Sequence, residues 1–565
     1  MRRGPGRPLH RDDRDDRIRE RRGWATRVLL VVLLALGLRL LTAGHGVMTV
    51  DEPTWLSRSA GFAKALGEGD FDRARASTPP RLATRPGITT MWIGAGARGV
   101  GYALTGAGVT DRPLRPVESS PFALQLSQIL MAVVSAGLIG AIVALGRPVL
   151  GPGAATAAGV LLAVEPWLIA HNSVLHTDGL VTLTLAAATL ALLVALGWGR
   201  DGPGGAGTST RHALAAGAFF ALAVLTKLNA LLFGPGLTVL VVVTLVVAGR
   251  RRPADDGSPP AKGPTRRGVL AVVGLVGAAA VACFVVPYPS LWSDPGDELG
   301  ALRRTAELGD TGGVQFFAGR RTLDPGALFY PVNLAVRASP WLLVLAAAAV
   351  LLAVRRRLPW AVVATLALVP VPYVVAATLA AKKFDRYVLP VLPFLAMLGG
   401  LAVAWLWDRL VEARLEWAPR IVLAGLLVAA LALPSLAWSP DTMAYVNPVT
   451  GGQGRAERNV LLGWGEGMER FGRRIQAEEG GRCDDVVVAV GFYTGRAVLP
   501  CGRLRPLDIH RAADLEGFDY VILYPLYTQR DVGGADLPEV VRRNGSLVMS
   551  LRLGGVDYGA LYRVG

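Results

Sequence analysis

The chain has 565 residues, 52% hydrophobic and 18% charged, with a mean hydropathy of +0.41. That is too apolar for an ordinary soluble domain and places the chain among polytopic membrane proteins. The formal net charge of +16 does not indicate nucleic acid, because the cations cluster in short loops beside apolar runs rather than on a basic amphipathic face.

Residues 1–23 contain almost no apolar side chains and are expected to form a disordered cytoplasmic tail. The run from Trp24 to about Thr42 is long enough to cross a bilayer core of roughly 30 Å. It ends in LTAGHG, a poor cleavage site, so a retained anchor is expected. Further spans are predicted near 121–146, 150–170, 179–198, 212–226, 229–248, 268–287, 333–354, 359–380, 387–407 and 419–438, which makes about eleven helices and a transmembrane domain over 24–438. With the N-terminus cytoplasmic, the loops holding Arg147, Arg200 and Arg211, Arg250 to Arg252 with Lys262, Arg266 and Arg267, Arg355 to Arg357, and Arg409 with Arg414 all fall inside, as the positive-inside rule requires. The loops 44–120 and 288–332, the turn 171–178 and everything after residue 438 then lie outside.

Beyond the last span the pattern changes. NVLLGWGEGMERFGRRIQAEE (459–479) reads as a helix, and DVVVAV, YVILYP and SLVMSLRL read as strands separated by turn residues. A small extracytoplasmic α/β domain over 439–565 is expected. Of the three cysteines, Cys283 lies in an apolar span, whereas Cys483 and Cys501 lie in this domain, where a disulfide and two unpaired small residues are both open.

The outer side carries charges that topology alone does not explain. Only five lysines occur in the chain, and two of them open LAAKKFDRYVLPVLPF (379–394), where Lys382, Lys383, Asp385 and Arg386 separate two apolar runs. Cations here oppose the insertion bias, so either an anion binds them or their side chains snorkel to headgroups. Asp51 and Glu52 in VMTVDEPTW could provide a general base and its partner, while Asp51 or Thr54 could equally cap a following helix. HNSVLHTDGL supplies His171, Asn172, His176, Thr177 and Asp178. Two of the six histidines in so short a stretch favour a site, although Asp178 could simply cap the next span. Lys227 interrupts an apolar stretch too long for one helix and is either a topological stop or a further cation facing the same anion. Carboxylates and cations brought together by different helices suit transfer from a phosphate-linked lipid, with a base for an acceptor hydroxyl and cations for the departing phosphate.

DEP after the first span, RPGITTMW, HTDG, LTKLNAL, DPGALFYPVNLAVRASP and KFDRYVLPVLPF, in that order over roughly 24–475, resemble bacterial members of the family 39 glycosyltransferases. These are relatives of the protein O-mannosyltransferases and the aminoarabinose transferases, with the membrane fold called GT-C. The resemblance implies Asp51 as the catalytic acid group with Glu52 beside it, and Asp178 as a second acidic position. It also implies Lys382, Lys383 and Arg386 as contacts to the lipid phosphate, with Asp385 orienting one of them. MAYVNPVTGG and GWGEG resemble segments that follow the last span in bacterial members, which places Glu466 near the site or at a helix start. Many relatives have His before the PG of RPGITT; Arg85 stands here, which favours anion contact over proton transfer. The implied reaction is inverting transfer of a mannose-like hexose or a pentose from a polyprenyl-phosphate sugar to a hydroxyl of a protein, lipid or glycan at the extracytoplasmic face of the cell membrane. HNSVLHTD holds residue types that could ligate a divalent metal, but capping or structural use is expected and the resemblance implies metal-free chemistry, so no cofactor is expected. A transporter or flippase for lipid-linked sugars is the alternative; it calls for charges near the middle of spans and for repeat symmetry. A membrane-anchored scaffold would account for the tail but not for the outer charges.

Overall fold

A computed structural model describes residues 11–45, 47–74, 86–105, 121–250, 263–307, 313–412, 417–483, 485–491, 502–507, 509, 511–532 and 534–565. Arg85 and Cys501 lie outside the described residues.

The chain is a multi-pass helical membrane protein with a small C-terminal α/β domain, as its sequence implies. Among the described residues eight helices are long and apolar enough to cross a membrane, and two more spans are bent pairs. Thr210–Thr226 is a shorter apolar helix of 17 residues, so all eleven expected positions are occupied. Of the tail expected over 1–23, residues 1–10 lie outside the described residues, and the first helix runs from Arg11 to Leu40.

Both bent pairs break at proline. Pro152–Val164 and Pro166–Asn172 meet at 69°, and Phe329–Arg337 and Pro340–Val354 at 115°. A proline lacks the amide and fixes the φ that starts a new helix, so Pro166 and Pro340 each begin one. The two breaks are tied together: buried Glu165 accepts from Ser339 N at 3.0 Å and from Ser339 Oγ at 2.6 Å. Beside them Thr177–Ala195 is buried all round, which is why it is apolar on every face. The first break aims Pro166–Asn172 and the turn after it at the place where the charged residues gather.

The C-terminal sheet has strand order Arg503–Pro506, Val487–Val490, Tyr520–Leu523, Val556–Arg563, Ser546–Leu553. Its first three strands are parallel and the last two form an antiparallel hairpin. Three of the five strands are the β-type runs of the sequence. Cys483 is disulfide-bonded and Cys283 is free.

The helix expected over 459–479 is confined to Met468–Glu478. Gly463, Gly465 and Gly467 all have positive φ, at 85°, 116° and 75°, so GWGEG is an irregular loop. At Gly465 the requirement is strict, because a Cβ there would lie 2.3 Å from Met48 O.

Candidate active site

The GWGEG loop packs against the first interhelical loop, with Val50 N donating to Trp464 O at 3.1 Å. Tyr524 and Tyr558 of the C-terminal sheet hold it in place. Gly465 N donates to Tyr524 Oη and Gly463 N to Tyr558 Oη, at 3.1 and 3.0 Å. The two loops thereby form one wall of a cavity of about 430 Å³.

Asp51 precedes the helix Glu52–Glu68 but makes no side-chain capping bond. Its carboxylate lines the cavity and is 37% exposed. Glu52, one residue on, turns the other way: it accepts from Thr49 N, Thr49 Oγ1, Gln128 Nε2 and Leu175 N at 2.7 to 3.1 Å. Burial pushes its carboxyl up, against the pull of those donors. Glu52 is not on the cavity wall; it locks the loop bearing Asp51 to the turn bearing His176.

Asp178 is 2% exposed and its carboxylate is fully engaged. Lys227 Nζ lies 2.5 Å from Oδ1, while Arg386 Nε and His176 Nδ1 lie 3.0 and 3.2 Å from Oδ2. His176 precedes the helix Thr177–Ala195, and its Nε2 lies 3.2 Å from Asp51 Oδ2. Its Nδ1 is also 3.3 Å from the Asp178 amide, a bond that only the neutral ring can accept. With a carboxylate oxygen 3.2 Å from each nitrogen, the ring is held as the imidazolium and both nitrogens donate. Burial would lower the His176 pKa, but Asp178 and Asp51 outweigh it and raise it. Arg386 closes the ring, with Nη2 3.3 Å from Asp51 Oδ2. Burial would likewise raise Asp51; the hydrogen bond from His176 and the charge of Arg386 prevail and hold it at about 2.

These residues come from helix ends. Lys227 is extended between Thr210–Thr226 and the 3₁₀ turn Leu228–Phe233, and Arg386 lies in the 3₁₀ turn Asp385–Val391. Aromatic faces cover the cations: Lys227 Nζ is 4.1 Å from the Tyr387 ring centre, and the Arg386 guanidinium is 4.3 and 4.6 Å from Phe384 and Trp464.

The expected site residues therefore separate. Asp51, His176, Lys227, Lys382, Asp385, Arg386 and Glu466 line the cavity, with Asp178 directly beneath. Lys383 does not line it, and its Nζ pairs with Asp324 at 3.2 Å. Asp385 pairs with Arg337 at 3.3 Å. Glu466 is buried, accepts from Trp464 N at 2.6 Å and bonds Tyr558 Oη; burial pushes its carboxyl up. Sequence reasoning did not single out Arg337, Trp464 or Arg530, all of which line the cavity. Trp464 had a signal in the glycines that flank it. Among the described residues no group of three or more His, Cys, Asp and Glu is arranged to hold a metal ion.

Residues 117–254 match the family model described as dolichyl-phosphate-mannose-protein mannosyltransferase, which bears out the resemblance over that segment. No curated protein matches the chain. Among solved structures, the chain is similar to the Archaeoglobus fulgidus oligosaccharyltransferase at 13% identity, covering 93% of this chain and 73% of that one, with a TM-score of 0.48. It is similar to ArnT from Cupriavidus metallidurans bound to undecaprenyl phosphate at 16% identity, covering 96% and 98%, TM-score 0.45. It is also similar to the S. cerevisiae protein O-mannosyltransferase Pmt1-Pmt2 complex bound to the sugar donor at 12% identity, covering 53% and 39%, TM-score 0.36.

Proposed function

We propose that the protein is a membrane glycosyltransferase that moves a hexose or pentose from a polyprenyl-phosphate donor to an acceptor hydroxyl at the extracytoplasmic face, with inversion. The observation that carries this reading is the cavity itself. One partly exposed carboxylate, Asp51, stands beside a cluster of cations fastened by a buried carboxylate, Asp178.

In the reaction the acceptor oxygen bonds to the anomeric carbon as the bond from that carbon to the phosphate oxygen breaks. The hydroxyl proton passes to Asp51, and the departing phosphate is held by Arg386 and Lys382. A carboxyl held at about 2 is a weak base in the resting site, since proton transfer is most effective near the working pH. A phosphate that engages Arg386 weakens that residue's grip on Asp51 and makes the carboxylate more basic when it is needed. Asp178, Glu52 and Lys227 are positioning residues: Asp178 orients His176, Arg386 and Lys227, and Glu52 fixes the loop.

The transporter reading calls for charges near mid-span, whereas the cavity charges come from helix ends. The test is to incubate the purified protein with a panel of polyprenyl-phosphate sugars, with and without membrane extract as acceptor source. Consumption of one donor with release of polyprenyl phosphate is expected. Translocation of intact donor across proteoliposomes without release of its sugar would instead establish the transporter.

A further inference from the structure

The ring of Asp51, His176, Asp178, Lys227 and Arg386 is internally paired, and Arg337 is paired with Asp385. Of the other cations lining the cavity, Arg58 donates to Pro86 O at 3.1 Å and lies over the Trp55 ring, which leaves Lys382 and Arg530. Among the described residues neither Lys382 nor Arg530 forms an ion pair, and Arg530 Nε is buried with no hydrogen-bond partner. Arg530 comes from the C-terminal domain, just after the short helix Pro525–Thr528. Burial and the nearby charge of Arg386 pull it down to about 10, against the opposing charge of Asp385, so it remains charged at neutral pH.

One hairpin, with the loop after it, pairs with the sequence neighbours of both cations. Its strands are Gln315–Phe317 and Arg320–Thr322. On one side Arg321 pairs with Asp531, next to Arg530, at 2.6 Å. On the other Asp324 pairs with Lys383, next to Lys382, at 3.2 Å. The hairpin also joins the C-terminal region through Ala318 N to Asn459 O at 2.7 Å. Each unpaired cation thus has a sequence neighbour fastened to the same short segment. Two cations that line one cavity and form no ion pair among the described residues suit an anion.

We infer that Arg530 binds the phosphate group of the lipid donor together with Lys382, so that the C-terminal domain supplies part of the donor site. This rests on the glycosyltransferase reading, and it makes the domain a wall of the active site rather than an appended module.

The test uses the full-length protein in detergent and follows the intrinsic tryptophan fluorescence of the cavity on titration with undecaprenyl phosphate, undecaprenol or inorganic phosphate. Removing one charge-assisted contact corresponds to about a tenfold or greater loss of affinity. Arg530→Gln is expected to weaken undecaprenyl phosphate by that factor while leaving undecaprenol unchanged, and Arg530→Lys to restore much of the loss. Competition by inorganic phosphate at millimolar concentration, lost in Arg530→Gln, would show that the phosphate group alone is recognised; no competition would place the recognition in the lipid-linked monoester. Equal affinity of Arg530→Gln, Arg530→Lys and wild type for undecaprenyl phosphate overturns the assignment of Arg530 while leaving the proposed reaction intact. Failure of the wild type to bind undecaprenyl phosphate overturns both.

Discussion

Asp51→Asn is the sharpest perturbation of the proposed chemistry, because it keeps the shape and removes only charge and basicity. Loss of the base is expected to lower kcat by about 10²- to 10⁴-fold. The effect on donor binding runs the other way. Asp51 Oδ2 is 3.3 Å from Arg386 Nη2, and at an effective dielectric of about 20 a pair that close attracts by roughly 5 kcal/mol. Asp51 is 37% exposed, however, so solvent screening brings the worth of the contact closer to about 1 kcal/mol. Freed of that competitor, Arg386 should bind donor phosphate up to about fivefold more tightly. Initial rates at varied donor, with fluorescence titration of undecaprenyl phosphate, separate the two effects: kcat falls by orders of magnitude while donor affinity holds or improves. Transfer by Asp51→Asn within tenfold of the wild-type rate, or a loss confined to KM, refutes the assignment of Asp51 as base.

Three further outcomes follow from the same contacts. Glu52→Ala strands four donors from Thr49, Gln128 and Leu175, and buried unsatisfied groups cost about 1–3 kcal/mol each. The melting temperature should fall by several degrees, and a protein as stable as wild type would contradict the anchoring role. Gly465→Ala places a Cβ 2.3 Å from Met48 O at a φ of +116°. It should displace Trp464 from Arg386 and cut transfer by more than tenfold; unchanged kinetics would mean that the loop contributes nothing to the site. His176 has a raised pKa, so its stabilising charge is fully present below the unfolded value of about 6.5 and is lost as pH rises through the folded value. Thermal stability should therefore decline as pH rises above about 6.5 in wild type more than in His176→Gln. Asp51, held low, contributes above an unfolded value of about 3.9 and loses that contribution only as pH falls toward 2, so it adds no acid limb above pH 5.

The parts of the site legible in the sequence are those where charge is expensive. Asp51, Asp178, Lys227 and Arg386 stand at the ends of apolar runs, where an unpaired charge is costly and its presence calls for a partner. What sequence could not rank is direction. Asp51 and Glu52 are neighbours, yet one faces the cavity and the other the loop beneath it; Lys382 and Lys383 divide in the same way. Those orientations are set by contacts from residues 76 to 335 positions away, such as Gln128 on Glu52 and Arg386 on Asp51. The GWGEG loop reads as helix in the sequence because the apolar and acidic residues around it keep helical spacing. Three alternate glycines in left-handed conformations outweigh that spacing, since helix propensity is weak and tertiary contacts with Met48, Tyr524 and Tyr558 decide the backbone.

The arrangement of charge also explains why a C-terminal domain would be built into the cavity at all. In the resting site the helix-borne cations Lys227 and Arg386 are satisfied by Asp178 and Asp51, so by themselves they offer an arriving phosphate only contacts it must take from those carboxylates. Among the described residues Lys382 and Arg530 form no ion pair, although the charge of Asp385 reaches Arg530, and Arg530 is supplied from outside the helical bundle. A domain wall that contributes Arg530 and, through Tyr524 and Tyr558, holds Trp464 over Arg386 lets the anion bind first and the carboxylates be released second. Under the proposed reaction, that order would couple donor binding to the basicity of Asp51.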